Sequence, residues 1–175
     1  MRDVFLNHSR SVAQLALNLN ARFRQPLPPE EVEAAAMLHD IGVCFTHAPS
    51  IHCHGEAFYL LHGCRGADLL RSEGVDERYA RVCERHTGVG ITAEELSKGN
   101  LGLPADRCYM PQSDLEKLIC FADKFYSKSG SGKRKSIGKV EKSFERFGPD
   151  NVERFRQLHA DIQSLARVPI DDLLD

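Results

Sequence analysis

The chain has 175 residues, 42% of them hydrophobic and 27% charged, which suits one globular domain with a real core, or one domain with a tail. A net charge of −2 at pH 7 supplies no basic field for bulk nucleic-acid binding, and no stretch approaches membrane-spanning length. The N-terminus, MRDVFLNHSRSVAQ, is charged and polar where a signal peptide needs an apolar run, so a cytoplasmic location is expected.

Helical periodicity dominates, with no convincing run of strand alternation. The first helix is expected from about residue 3 to 24, stopping before the QPLPP break. A second begins after Pro28 and Pro29, carries Glu30 and Glu31 in its first turn, and ends near Gly42. Residues 43–56, VCFTHAPSIHCHGE, read as an ordered loop. Helices follow at about 57–73, 76–87 and 92–98, then a loop, then a helix at 114–127 with Ser113 as its N-cap. A polar basic linker at 128–136 leads to two helices at about 137–147 and 149–167. The fold class is all-α, a compact bundle of seven to eight helices: 1–127 as the main helical domain and 137–175 as helices packing on it or forming a homodimer contact. Six cysteines without a CxxC pair, several in apolar helical patterns, read as reduced thiols rather than disulfides or a zinc site.

The polar residues on the apolar faces carry the functional signal. His8 sits four residues after Val4 in the first stripe, and His39 continues the face of Val32, Ala35 and Ala36. His62 shares a face with Gly66, Leu69 and Leu70, and His86 follows Tyr79, Val82 and Cys83 by the same steps. Asp123 falls on the face of Leu115, Leu118, Ile119 and Ala122, and Asp40 adjoins His39. A single inward histidine is ordinarily a hydrogen-bonded core residue. A buried carboxylate without a partner costs several kcal/mol, so four histidines and two aspartates pointing inward together read as ligands for one or two divalent metals. His39 and Asp40 point about 100° apart on a helix, so a shared metal must lie beside the helix end. Gly42 leaves room there.

His8, then His39–Asp40 in HDIG, then His62 in LLHGCRGADLL, His86 in CERHTGVGIT and Asp123 in FADK resemble the metal-binding signature of the HD-domain superfamily of metal-dependent phosphohydrolases. The likeness spans residues 8 to about 126 and is closer to the small stand-alone members, including the bacterial diadenosine-tetraphosphate hydrolases, than to the cyclic-dinucleotide branch, whose GYP element is absent. It implies an all-α fold with five core helices around the metals. It also implies one metal on His8, His39, Asp40 and Asp123, and a second on His62 and His86 with Asp40 bridging. Fe, Mn, Co, Ni and Zn all suit such ligands. The implied reaction is hydrolysis of a phosphate ester or anhydride of a small molecule, a nucleotide above all, by a metal-activated hydroxide.

By the same resemblance Lys124, directly after Asp123, is the candidate catalytic and phosphoryl-holding cation, against a solvated lysine on the helix rim. Arg85 before His86 is a weaker candidate of the same kind. Lys128, Lys133, Arg134 and Lys135 make a local basic patch without a P-loop pattern: a phosphate-contacting loop or a solvated linker. His47, His52, His54 and Glu56 lie between the two halves of the ligand set, where they could cover the site, bind substrate or recruit another metal. His159 is expected at the surface. Two other functions fit the same residues: a mixed-valent diiron oxygenase, distinguished by iron and oxygen consumption, and a non-catalytic nucleotide-binding module.

Overall fold

Eight α-helices form in the computed structural model, which describes residues 2–99, 101–128 and 133–174. Residues 129–132, inside the expected linker, lie outside the described residues. They are α1 (Arg2–Asn20), α2 (Pro29–Leu38), α3 (His62–Ser72), α4 (Glu77–Arg85), α5 (Ala93–Lys98), α6 (Asp114–Asp123), α7 (Ile137–Phe144) and α8 (Pro149–Leu165). Among the described residues no helix is long and apolar enough to cross a membrane.

The helix starts obey local chemistry. Pro29 opens α2 with Glu30 and Glu31 behind it, where fixed φ and negative charge both favour a helix N-terminus. Ser113 caps α6 by accepting from the Glu116 N–H, and the Glu116 carboxylate returns to the Ser113 N–H; Thr92 and Glu95 do the same for α5.

The helix ends depart from the periodicity. α1 stops at Asn20 rather than near residue 24, because Phe23 turns inward and the chain pairs with the end of α8 through Arg24 N–H to Leu165 O (2.8 Å) and Arg167 N–H to Arg22 O (2.9 Å). α6 ends at Asp123 rather than 127, and α2 ends at Leu38, four residues before Gly42, with a 3₁₀ turn over Ile41–Phe45. Gly42 is therefore no helix stop. A Cβ there would stand 2.1 Å from the His62 carbonyl oxygen and 2.3 Å from the Gly66 nitrogen, so its task is the close crossing of this turn over α3.

Within the expected loop a short antiparallel hairpin forms, His47–Ala48 (β1) with Cys53–His54 (β2), paired His47 to His54 and Ala48 to Cys53. One apolar cluster holds the bundle together. Val12, Leu15 and Leu19 of α1, Val32 and Ala36 of α2, and Leu118, Ile119 and Phe121 of α6 join Val140, Phe144, Phe155, Leu158 and Ile162 of α7 and α8. Phe147, between α7 and α8, stays outside this core at 57% exposed. His159, expected at the surface, is half-buried, stacked on Phe121 at 5.6 Å and 3.3 Å from Asp171. All six cysteines are free thiols.

Candidate metal centre

Five helices and one turn bring the six inward polar residues to a single point. His8 comes from α1, His39 from the residue closing α2, Asp40 from the turn that follows, His62 from the first position of α3, His86 from the residue closing α4, and Asp123 from the last position of α6. All six are buried. Because α2 ends at Leu38, Asp40 takes φ −108° and ψ 10°, and its carboxylate meets the same centre as the His39 ring instead of diverging around a helix.

Two ligand groups share Asp40. In the first, His8 Nε2 lies 2.9 Å from Asp123 Oδ1 and 3.3 Å from Asp40 Oδ2, and His39 Nε2 lies 3.2 Å from Asp40 Oδ2 and 3.5 Å from Asp123 Oδ1. In the second, His62 Nε2 and His86 Nε2 lie 3.5 and 3.3 Å from Asp40 Oδ1 and 3.0 Å from one another. Within each group the ligand atoms all fall within 4.8 Å of one another.

The tautomers follow from the far side of each ring. His39 Nδ1 is 2.7 Å from Ala36 O, His62 Nδ1 2.7 Å from Tyr59 O, and His86 Nδ1 2.8 Å from Cys83 O. A carbonyl only accepts, so each Nδ1 must carry a hydrogen. In the neutral imidazole the Nε2 lone pair then points inward. Those lone pairs face carboxylate oxygens and, between His62 and His86, each other. Both ring nitrogens of His8, His39 Nε2 and Asp40 Oδ1 are buried without a hydrogen-bond partner. Lone pair against lone pair in a dry site is repulsive unless cations stand between. The donor set of imidazoles and carboxylates fits one or two divalent transition metals, the first on His8, His39, Asp40 and Asp123 and the second on His62 and His86 with Asp40 shared.

Without metal the charges sort themselves unevenly. Burial works hardest against protonating His39, but Asp40 and Asp123 together outweigh it and hold the imidazole up at about 9. Burial, with His86 beside it, pushes His62 down to about 3. Burial would raise Asp40 and Asp123, yet Lys128 and His39 on the one, and Lys124 and Lys128 on the other, hold both carboxyls well below the usual range. A metal must therefore displace a proton from His39. Its raised pKa favours the metal-free fold below the ordinary value of 6.5, and that contribution is lost as pH rises through about 9. Metal affinity should accordingly rise about tenfold per pH unit between pH 7 and 9 and flatten above. Competitive Mn²⁺ titrations across that range check this; a flat profile would contradict it.

The HD domain family model matches residues 5–127, which contain all six of these clustered histidines and aspartates. The chain belongs to the HD domain family.

Relatives extend the HD domain comparison. The chain is 33% identical over 168 residues to an uncharacterized protein of Methanocaldococcus jannaschii, covering 93% of this chain and 89% of that one. It is 31% identical over 172 residues to a protein named tRNA (cytidine(56)-2'-O)-methyltransferase from Thermoplasma volcanium, and 30% identical over 171 residues to its namesake from Picrophilus torridus. Each match covers 98% of this chain but the chain spans only 45% of those relatives' length. Among solved structures, the HD domain of the L. monocytogenes phosphodiesterase PgpH superposes with a TM-score of 0.52 at 16% identity over 93% of both chains. The same domain in complex with cyclic-di-AMP gives 0.51 at 17% identity, over 96% of this chain and 94% of that one.

Beside the HD domain's buried His and Asp cluster, and reaching it at Asp123, lies an open cleft of about 1410 Å³, lined also by Tyr59, Lys124, Lys128 and Lys135 and continuing along α5, α7 and α8. Lys124 stands at the rim with its ammonium tied to Asp123 Oδ2 (2.6 Å) and His86 O (2.8 Å). The residue that the linker's composition concealed is Lys128. Its Nζ lies 2.7 Å from Asp40 Oδ2 and 5.8 Å from the centre of the Tyr59 ring, and that ring stacks on His62. No periodicity could reveal it, because α6 ends at Asp123 and the chain bends back over the ligands.

The other sequence candidates fall elsewhere. His52 and His54 are exposed on the hairpin, His52 in the left-handed region at φ 59°, and neither lines the cleft; His47 is exposed opposite His54. Arg85 points away from the ligands, with Nη1 2.9 Å from Glu116 Oε2 and 3.0 Å from Gln112 Oε1, and Nε 3.2 Å from Cys108 O. Its side chain is 11% exposed and that of Glu116 4%, so the pair clamps α4 to the start of α6. Arg85→Ala is expected to cost about 2–3 kcal/mol in urea unfolding while leaving metal content at the wild-type level. A variant of full stability with less metal would reverse that reading.

Proposed function

We propose that this HD domain is a metal-dependent phosphohydrolase that cleaves a phosphate ester or anhydride of a small molecule, with a nucleotide as the favoured substrate. The observation that carries the reading is the buried pair of donor sets sharing Asp40, beside a cleft lined by Asp123 and three lysines. Its membership of the HD domain family supports it, and the fold likeness to a phosphodiesterase domain that has been seen with cyclic-di-AMP is consistent with a nucleotide. Methyl transfer is not part of the proposal, since the chain matches under half of the relatives bearing that name.

Divalent metals at the two sets would supply hydroxide near neutral pH and draw charge from the phosphoryl oxygens. The chain's own groups do the rest. Backbone carbonyls of Ala36, Tyr59 and Cys83 hold three imidazoles in one tautomer with Nε2 inward. Asp40, acceptor-only when ionised, serves both sets at once. Lys128 holds its ammonium on Asp40; with Asp40 engaged by a metal, that ammonium would be available to a phosphoryl oxygen in the cleft it lines. Lys124, bound to Asp123 and the His86 carbonyl, keeps one N–H for the same ligand.

Removing Lys128 therefore has two opposed effects. Lys128→Met should tighten metal binding about tenfold, because a competing cation is gone, and raise KM for the phosphorylated substrate by a similar factor. Looser metal binding in this variant would show that the lysine supports the ligands instead of competing with the metal.

The activity is tested on protein purified without chelator or a His-tag, by metal analysis and a panel of nucleotides and phosphoesters in the presence of the metal found. Release of phosphate or nucleoside product, lost in His39→Ala, is the expected result. Iron as the resident metal with oxygen consumption and no phosphate release would favour the diiron oxygenase. Binding of nucleotide without turnover would favour a non-catalytic module.

A further inference from the structure

The cleft is larger and more cationic than one phosphoryl group at a metal pair requires. Lys124, Lys128, Lys135 and Arg146 all line it. Two further cations are spoken for within it: Lys98 pairs with Glu94, and Arg154 forks onto both carboxylate oxygens of Glu95, at 2.8 and 2.6 Å. Asp150 adds a negative charge at the far wall. The linker's end is docked: the Lys135 N–H donates to Phe125 O at 2.9 Å and its Nζ stands 3.5 Å from Lys124 O, which fixes the ammonium beside α6. Arg146 lies flat on Phe147, its guanidinium carbon 4.6 Å from the ring centre, at the cleft's outer edge.

We infer that Lys124, Lys128, Lys135 and Arg146 form a subsite for a second phosphoryl group next to the metal ligands, so that the substrate is a nucleoside phosphoanhydride or bisphosphate in preference to a monophosphate. The inference rests on the phosphohydrolase reading for its first phosphate and on this side-chain cluster for its second. Lys124, Lys128 and Lys135 are half-buried and Arg146 is exposed along the same cleft; like charges gathered there repel each other, and an anion with two adjacent charged groups relieves that cost. Burial holds the Lys135 ammonium below the usual lysine range; Asp123 opposes this, and Lys124, Arg146 and Lys128 add to the lowering. A monophosphate held at the buried His and Asp cluster would leave the charges of Lys135 and Arg146 uncompensated.

The test compares methylenediphosphonate with methylphosphonate, non-hydrolysable probes with two phosphoryl groups and one, by calorimetry on the full chain. It is run as purified and again after dialysis against chelator. The diphosphonate should bind at least about tenfold tighter in both states, and the Lys135→Ala/Arg146→Ala double variant should bring the two probes to within about threefold. Lys135→Arg, which keeps the charge, should retain the preference, as should Arg81→Ala, whose guanidinium lies outside the cleft beside Glu77. Equal affinity for the probes in the wild type, or a preference that survives the double variant, overturns the subsite. An absence of metal and of phosphate release, with the diphosphonate preference intact, would overturn the phosphohydrolase reading and leave the subsite standing.

Discussion

Asp40→Asn is expected to purify with less than about a tenth of the wild-type metal, while His62→Ala retains about half of it. The asymmetry follows from position. Asp40 Oδ2 faces His8 and His39, and Oδ1 faces His62 and His86, so one carboxylate closes both donor sets. An amide keeps the shape but loses the charge and turns one of the two oxygens into a donor, which would face buried lone pairs or a cation. His62 serves only the second set, and its loss leaves His8, His39, Asp40 and Asp123 complete. Phosphate release, on the proposed activity, should fall by about 10³-fold or more in Asp40→Asn. Elemental analysis beside circular dichroism separates ligand loss from misfolding. Equal metal content in the two variants would show that Asp40 does not join the sets.

Gly42→Ala should be among the most damaging single methyl additions in the chain, at about 3 kcal/mol or more. The new Cβ would stand 2.1 Å from His62 O, 2.3 Å from Gly66 N and 2.8 Å from Gly66 Cα, all backbone atoms that no rotamer change can move aside. Either the Ile41–Phe45 turn or the start of α3 must shift. The turn carries Asp40 at its head and α3 carries His62 at its first position, so the functional cost is expected at the second donor set: metal there is lost while the first is retained. Gly138→Ala is the comparison. A Cβ there meets nothing within 4 Å, and the residue sits inside α7, where alanine is expected to stabilise by about 0.5–1 kcal/mol. Urea denaturation of the two variants, with metal counted in each, checks both. A Gly42→Ala protein of wild-type stability would mean that the turn and α3 are not held as closely as the structure has them.

The ligand residues were legible because their signal is local. Each of His8, His62, His86 and Asp123 breaks an apolar face at a fixed helical step, and a buried carboxylate has few excuses in a core without a cation. Other groups depended on contacts far apart in sequence. Arg85 looked like a phosphate ligand from its place beside His86, and the structure commits it to Glu116, thirty-one residues on. His52 and His54 looked like site residues from their place between the ligand motifs, and the hairpin carries them outward. Lys128 looked like linker, yet it touches Asp40, eighty-eight residues away in sequence.

Sequence alone determined the all-α class, the six inward donors and most helix starts, α3 excepted, which begins at His62 rather than near residue 57, since capping and amphipathic spacing are set within a few residues. Where the helices end was decided by tertiary structure, because an end is placed by what the next segment must reach: Phe23 its core position, Asp40 the centre, Lys128 the carboxylate. The same holds for the cleft's cations. They reach one cleft only when the end of α6, the linker's end and the turn after α7 are folded to it, and no local pattern encodes a distance across such a cleft.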